Sequence, residues 1–149
     1  MTTDSSSIDV LVVEDEEAVR DLLTGALARV PANVTSAVDG QDGLEKYMAS
    51  IDSGKPFPIV ITDAVMPGIN GAMLTRRIKE VNPQAVVYLV SGYLGGASED
   101  LAAAPDNLLP NGIITKPYSP AFMMNLVRKI AAGQDHESFA REYEAQKLS

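Results

Sequence analysis

The 149-residue sequence contains no cysteine, which excludes disulfide bonds, thiolate metal sites and cysteine nucleophiles. It also lacks an apolar run as long as a membrane-spanning helix requires. Its polar first residues, 1–7, have neither the basic nor the apolar region of a secretory signal. We therefore expect a soluble, cytoplasmic protein without a membrane partner.

Positive charge is scarce, with 12 Lys and Arg residues against 20 Asp and Glu residues and a net charge of −8. Proteins that bind a phosphate backbone gain affinity from clustered Lys and Arg, so nucleic acid is not expected as a direct partner. The chain is 46% hydrophobic and 21% charged, which is typical of a globular protein. Its length suits one domain with one core.

Strand-like and helix-like segments alternate along the chain. Short apolar runs lie near residues 9–13, 34–38, 59–63, 86–90 and 112–115, and a segment with helical spacing follows each of the first three and the last. The second run is more polar, which suits the edge of a sheet. Strict alternation indicates an α/β fold, a parallel sheet covered on both faces by right-handed crossovers.

The helical segments differ in clarity. In the segment from 70 to about 81, the spacing predicts that Leu74, Ile78 and Val81 face inward and that Arg76, Arg77, Lys79 and Glu80 face outward. The first helix has its apolar positions at Val19, Leu22, Leu23, Ala26, Leu27 and Val30.

Two regions are harder to assign. Pro105 and Pro110 interrupt the segment between the fourth and fifth strands, so we expect that face to be irregular or mobile. Residues 134–149 are polar and form either an appended helix or a frayed tail, with His136 expected as an exposed tail residue.

Polar residues with chemical potential follow four of the five strands directly. They are Glu14 and Asp15, then Asp63, then Ser91, then Lys116. The carboxyl ends of parallel strands meet at one edge of a sheet, where ligands of open α/β sheets bind. Each residue also has a simpler structural role: the acids can complement a helix dipole, Asp63 or Ser91 can start a turn, and Lys116 can be a solvated loop residue.

Three carboxylates against one lysine would leave this edge with a local charge near −2. Two unit charges about 4 Å apart repel by roughly 4 kcal/mol at an effective dielectric of about 20. Since these side chains offer oxygen ligands only, we expect the hard cation Mg²⁺ to bind at this edge. Asp63, central and next to the metal, is then a candidate nucleophile that accepts a phosphoryl group as an acyl phosphate.

Residues 8–133 resemble a response-regulator receiver domain, the phosphoacceptor module of two-component signalling. The residues that carry the resemblance are Glu14-Asp15, Asp63 with Met66-Pro67 and Gly71, Ser91, and Lys116-Pro117. The resemblance implies a doubly wound, flavodoxin-like five-stranded parallel sheet in the order 2-1-3-4-5.

By this resemblance, Asp63 accepts the phosphoryl group from a phosphohistidine on a histidine kinase or a histidine phosphotransfer protein. Asp15, Asp63 and the carbonyl of Val65 would hold Mg²⁺, with Glu14 acting through water. The protein would not be an enzyme beyond its own phosphorylation and dephosphorylation. It would switch contacts with a downstream protein target, as a monomer or a phosphorylation-dependent dimer.

Lys116 would pair first with the acceptor carboxylate and then with the phosphate, and Ser91 would move toward the phosphate. The resemblance also implies a cis bond between Lys116 and Pro117.

The sequence departs from the family at a position in the fifth strand. Receivers commonly carry an aromatic residue in the fifth strand that turns inward on phosphorylation, and Ile113 stands there, so Tyr93 or Tyr118 would have to substitute. Val65 and Tyr93 occupy the positions that flank the path of a hydrolytic water. Neither offers a group that orients water, so we predict slow self-dephosphorylation.

Other classes are less well matched. A haloacid-dehalogenase-type phosphatase needs a general acid where Val65 stands, and a flavodoxin-like cofactor binder needs a phosphate loop where residues 14–17 are acidic. A degenerate receiver acting as a docking module, and a receiver fragment of a hybrid histidine kinase, stay open as alternatives.

Overall fold

A five-stranded, all-parallel sheet in the order β2-β1-β3-β4-β5 forms the centre of the fold, as predicted. The structure is a computed structural model that describes residues 7–92 and 96–148. The strands are β1 (Ile8–Val13), β2 (Ala32–Ala37), β3 (Ile59–Asp63), β4 (Val86–Ser91) and β5 (Gly112–Thr115).

In the described part of the chain, six α-helices and a 3₁₀ turn surround the sheet. They are α1 (Glu17–Leu27), α2 (Gly40–Asp52), α3 (Gly71–Val81), α4 (Ala97–Ala103), the 3₁₀ turn Asp106–Leu108, α5 (Pro120–Ala131) and α6 (His136–Gln146). Side chains of Asp39, Asn70, Ser119 and Asp135 accept hydrogen bonds from the third residue of the helices that follow, α2, α3, α5 and α6. These caps satisfy backbone donors that the helix itself leaves unpaired, and so set where each helix begins.

The two faces of the sheet bury separate apolar clusters because side chains alternate along each strand. Val10, Val12, Ile59 and Ile61 point toward the face covered by α1 and α5. Leu11, Val13 and Val60 point toward the face covered by α2 and α3. Every residue of β3 is buried, as expected for a central strand with both faces covered.

Three helical residues do not face as their spacing predicted. Leu22 of α1 is 76% exposed and Val81 at the end of α3 is 46% exposed. Lys79, predicted to face solvent, is only 7% exposed, and its Nζ donates to Asn111 Oδ1 at 2.9 Å. A polar partner from the β5 side of the molecule makes this burial possible, and helical spacing contains no information about it.

The region before β5 is irregular, as predicted. Helix α4 has seven residues and ends shortly before Pro105, and the 3₁₀ turn connects it toward β5. Proline lacks the backbone N–H that would continue the helix, which accounts for the break.

Residues 136–146 form a helix that packs against the core, so the tail is not frayed over this stretch. The prediction that His136 is an exposed tail residue is wrong. Its Nδ1 lies 2.7 Å from the hydroxyl of Tyr88, and the two rings meet edge to face. Ala140 is buried in the same cluster as β1 and β3.

The turn after β3 requires a glycine at the start of α3. A Cβ on Gly71 would overlap the carbonyl oxygen of Asp63 and a methyl carbon of Leu89. The backbone N–H of Gly71 donates to the carbonyl of Ala64 at 2.9 Å, which closes the loop behind the aspartate. Gly71 therefore lets α3 begin close to the end of β3.

We expect Gly71→Ala to lower the free energy of unfolding by about 2 kcal/mol or more, because the added methyl must displace backbone. Urea denaturation measures the effect. Gly25→Ala is the matched control, since Gly25 is exposed in α1 and an added Cβ there meets nothing within 4 Å. That change should raise stability by roughly 0.5–1 kcal/mol. Equal effects of the two substitutions would contradict the argument.

Candidate functional site

The carboxyl ends of four strands bring the predicted site residues to one edge of the sheet. Asp63 is the last residue of β3, and Ser91 is the last residue of β4. Lys116 follows β5 directly, and its backbone N–H donates to the Ser91 carbonyl at 2.8 Å. Glu14 follows β1, where its N–H bonds the carbonyl of Ala37 at 3.1 Å. Parallel register thus gathers residues that are far apart in sequence.

Glu14, Asp15 and Asp63 form an acidic cluster. One carboxylate oxygen from each lies within 4.8 Å of the others. Glu14 is 4% exposed and Asp63 is 9% exposed, whereas Asp15 is exposed. The carboxylates of Glu14 and Asp63 are therefore largely removed from water. Repulsion between two charges is stronger in the protein interior than in water.

The ammonium of Lys116 lies between two of these carboxylates. Its Nζ is 3.6 Å from Glu14 Oε1 and 3.6 Å from Asp63 Oδ1. Both distances exceed those of a short charge-assisted hydrogen bond, so the amine neutralises part of the charge without being committed to one acid. A cation in this place can follow negative charge as it moves from the Asp63 carboxylate to a group bound there.

Backbone donors hold the two buried acids in place. The N–H of Ala64 donates to Asp63 Oδ1 at 2.9 Å, and the N–H of Glu16 donates to Glu14 Oε2 at 3.1 Å. Arg20 donates from Nη1 to the backbone carbonyl of Glu14 at 2.9 Å. Sequence reasoning missed Arg20, although it lies on α1, the helix that follows the acidic turn.

Burial raises the pKa of Glu14 to about 7, with the charge of Asp63 adding to the effect. Burial also raises the pKa of Asp63, although Lys116 and the Ala64 N–H act in the opposite direction. One lysine therefore does not compensate the cluster fully. Both shifts indicate that a further cation would be favourable here.

The donor set fits Mg²⁺. Carboxylate oxygens are the ligands this ion prefers, and it commonly uses one or two of them while keeping several waters. Asp15 and Asp63 offer such oxygens, and buried Glu14 can act through a water. Val65, whose carbonyl was the other predicted ligand, lies two residues after Asp63 and is 39% exposed.

Ser91 is 2% exposed at the end of β4, between Asp63 on β3 and the Lys116 side of β5. The Lys116–Pro117 bond is cis, as predicted. Tyr93 lies outside the described residues. Tyr118 is half-buried, and burial, followed by the charges of Glu14 and Asp63, raises the pKa of its hydroxyl. Its ring therefore lies near the acidic cluster.

A groove of about 340 Å³ lies beside Lys116, between α1 and the start of α5. Leu22, Leu23 and Tyr118 contribute to its largely apolar wall. Leu22 therefore lines a surface groove, where the helical periodicity had predicted burial against the sheet.

A family model for the response regulator receiver domain matches residues 10–128. The chain belongs to this family. The receiver is therefore a module of two-component systems, as its resemblance implied, and the family uses Mg²⁺ at an acidic cluster of this kind. Receivers of this family interact with histidine kinases or phosphotransfer proteins.

Relatives that are similar to this receiver include a receiver protein and a sensor kinase. The response regulator receiver protein CpdR of Brucella abortus is 27% identical over 123 residues, which cover 81% of this chain and 94% of that protein. The sensor kinase CckA of the same organism is 32% identical over 131 residues, which cover 88% of this chain but 13% of that protein.

Solved structures show the same fold. A response regulator receiver domain protein from Clostridium thermocellum superposes with a TM-score of 0.69 at 21% identity, covering 85% of this chain and 95% of that one. The signal receiver domain of an HD domain-containing protein from Pseudomonas fluorescens gives 0.70 at 20% identity, covering 95% and 97%. In residues 7–92 and 96–148, no helix has the length and apolar character needed to cross a membrane.

In buffer without divalent cations, Glu14→Gln should stabilise the receiver at pH 8. The raised pKa of Glu14 means that the unfolded chain releases this proton near pH 4.5 and the folded chain near pH 7. Wild-type stability should fall as pH rises through this window, by roughly 1–3 kcal/mol for Glu14 alone, and the uncharged amide of the variant avoids that loss. Urea denaturation at pH 4.5 and pH 8 measures the difference, which should nearly vanish at the lower pH.

Glu17→Gln is the control for this measurement, because Glu17 is an exposed acid in the first turn of α1. Its effect should be below about 1 kcal/mol and should not stabilise the protein at pH 8. A similar gain for both substitutions would show that net charge, rather than burial of Glu14, determines the result.

Proposed function

We propose that Asp63 is the phosphoacceptor of this receiver and takes its phosphoryl group from a phosphohistidine on a histidine kinase or a histidine phosphotransfer protein. The observation that supports this most directly is the position of Lys116, 3.6 Å from both Asp63 and Glu14 at the carboxyl end of the sheet. An ammonium shared by two carboxylates is well placed to follow charge onto a phosphoryl group.

The reaction is a displacement at phosphorus. A carboxylate oxygen of Asp63 attacks the phosphorus atom while the P–N bond to the donor imidazole breaks. The bonding electron pair leaves on the imidazole nitrogen, and the protonated ring departs as neutral histidine. Asp63 then carries a mixed anhydride, and attack by water on its phosphorus later restores the carboxylate and releases phosphate.

Each surrounding residue has a defined task. Ala64 holds Asp63 through its N–H, and Lys116 would pair with a phosphoryl oxygen once the group has arrived. The hydroxyl of Ser91 would donate a hydrogen bond to another phosphoryl oxygen. Bound at Asp15, Asp63 and the Val65 carbonyl, with Glu14 acting through water, Mg²⁺ would offset the negative charge shared by the carboxylate and the phosphoryl oxygens.

The same site gives the protein its wider role. Phosphorylation would change which surfaces the receiver offers to a downstream protein in the cytoplasm. The chain would catalyse only its own phosphorylation and dephosphorylation, acting as a monomer or as a phosphorylation-dependent dimer. We assign the receiver domain to residues 8–133 and the C-terminal tail, which contains α6, to residues 134–149.

The usual position of the aromatic switch is occupied by Ile113. This residue packs with Ala97, Leu89 and neighbouring apolar residues. We therefore propose Tyr118, in place of Ile113, as the residue that couples the site to a partner. Its ring packs against the core, and the charges of Glu14 and Asp63 contribute to the raised pKa of its hydroxyl.

Two alternatives differ in context or chemistry. The similarity to the sensor kinase CckA supports a receiver that works within a hybrid kinase, with the same phosphoacceptor chemistry. A degenerate receiver that only docks would gain nothing from an acidic cluster with Lys116 between two of its members.

Incubation with acetyl phosphate and Mg²⁺ should add the mass of one phosphoryl group to the intact protein, with acetate as the leaving group. Intact-mass spectrometry and peptide mapping should place it on Asp63. Asp63→Asn is the control and should gain no mass under the same conditions. Labelling of Asp63→Asn to the wild-type extent would overturn the assignment, as would an unmodified wild type.

The acyl phosphate should be long-lived, because Val65 has no group that orients a hydrolytic water. Timing phosphate loss after removal of the donor tests this, and a half-life of seconds for the wild type would contradict it. Val65→Asn places a carboxamide on this exposed side chain and should shorten the lifetime several-fold, by about 1 kcal/mol of barrier. Val65→Leu, which adds bulk without polarity, should not.

A further inference from the structure

We propose that helix α6 is a positioning element for Lys116, acting through Glu144 and Lys147, which hold the residue before it, and Tyr143, which holds the start of the next helix. The proposal rests on the function proposed above, in which Lys116 serves the phosphorylation of Asp63. It concerns contacts that Tyr143, Glu144 and Lys147 make, and these residues lie beyond residue 128, where the family match ends.

Glu144, in the last turn of α6, and Lys147, the C-cap of α6, together bind every polar atom of Thr115. Glu144 Oε2 accepts from the Thr115 backbone N–H at 3.2 Å, and Glu144 Oε1 accepts from its hydroxyl at 2.6 Å. Lys147 Nζ donates to the Thr115 carbonyl at 2.6 Å and to its Oγ1 at 3.1 Å. Lys147 also pairs with Glu144 at 2.9 Å, so the three residues form a closed network.

This network holds one side of the peptide unit that carries Lys116. The Thr115 carbonyl, on the outer edge of β5, bonds Lys147, while the Lys116 N–H on the inner side donates to the Ser91 carbonyl at 2.8 Å. The peptide plane between Thr115 and Lys116 is therefore fixed from both sides. Since Lys116 Cα belongs to that plane, the origin of its side chain is fixed as well.

The far end of the same loop is held by the same turn of α6. The Ser119 N–H donates to the Tyr143 hydroxyl at 2.8 Å, and Ser119 is the N-cap of α5. Residues 116–118 thus lie between two attachment points, at Thr115 and at Ser119, that are both supplied by α6. A loop tied at both ends to one rigid helix has few alternative conformations.

Apolar packing keeps α6 in place independently of these polar contacts. The Tyr143 ring stacks on Phe122 of α5 with centroids 3.8 Å apart and planes 11° apart, and Phe139 stacks on the same ring at 5.3 Å. At the other end of α6, Glu137 accepts from Asn111 at 2.8 Å. Removing Glu144 alone should therefore loosen Thr115 while α6 stays docked.

The consequence for the site is geometric. Lys116 Nζ reaches Glu14 and Asp63 at 3.6 Å along a flexible side chain, so a shift of its backbone changes both distances. Misplacing a catalytic group by about 1 Å can cost up to about 100-fold in rate. Glu144 and Lys147 touch none of the reacting atoms and act through the backbone and the hydroxyl of Thr115.

Glu144→Ala tests the proposal in the full chain. The rate of phosphorylation by acetyl phosphate in saturating Mg²⁺ is followed by intact mass over a range of donor concentrations. The maximal rate should fall about 5- to 20-fold with little change in the donor concentration for half-maximal rate, since donor binding is left alone. Glu144→Gln, which keeps one acceptor oxygen, should recover part of the rate.

Glu142→Ala is the matched control, because it removes an acid of equal charge from another position on α6, two residues away, for which no contact with Thr115 is seen. It should leave the maximal rate unchanged. Equal maximal rates for Glu144→Ala and Glu142→Ala, in proteins with the same denaturation midpoint, would overturn the proposal.

Thr115→Val and Lys147→Met decide the question if Glu144→Ala does not fold. Each removes part of the network while keeping the bulk of the side chain, and each should lower the maximal rate at least about twofold. Wild-type rates in both would overturn the proposal. A wild type that is not phosphorylated on Asp63 would overturn the proposed function and this inference together, whereas a normally phosphorylated wild type with unaffected variants overturns only this inference.

Discussion

Repulsion among Glu14, Asp15 and Asp63 is the constraint on which the rest of the structure depends. Two of these carboxylates are nearly buried, and one ammonium lies between them at 3.6 Å from each. An arrangement with this much uncompensated charge persists only if the surrounding backbone leaves the acids no room to separate. The central parallel sheet supplies that rigidity, because the strand ends that carry the acids are fixed by ladders on both sides.

The electrostatic cost of the cluster also explains its chemistry. A site that holds excess negative charge attracts a divalent cation, and a cation among carboxylates attracts a phosphoryl group in turn. The negative charge of Glu14, Asp15 and Asp63 therefore has two opposite effects. It lowers the stability of the metal-free protein, and it favours binding of the metal. The apolar clusters on the two faces of the sheet provide the stability that tolerates it.

Much of this could be predicted from the sequence because the signals are local. An apolar run that ends in a polar residue marks a strand end, and the strict alternation of strands and helices places all such ends on one edge. This pattern predicts that Glu14, Asp63 and Lys116 lie close together. Lys79 and His136 were assigned wrongly because their partners, Asn111 and Tyr88, are distant in sequence. Leu22 followed the helical spacing but faces a groove beside Lys116. The contacts of Thr115 with α6 are not predictable from the sequence, because the polar pattern of residues 134–149 does not indicate which residues they contact.

The position of α6 beside β5 also affects whether the sheet can pair with a strand from another chain. With the strand order found here, β2 and β5 are the two borders of the sheet, and a border strand with unpaired backbone groups invites a strand from another chain. The Thr115 N–H and carbonyl, which such an incoming strand would use, are already bonded to Glu144 and Lys147. The β5 border is therefore closed to an incoming strand at Thr115, so a strand from a second chain cannot pair along the full length of β5 in the folded protein.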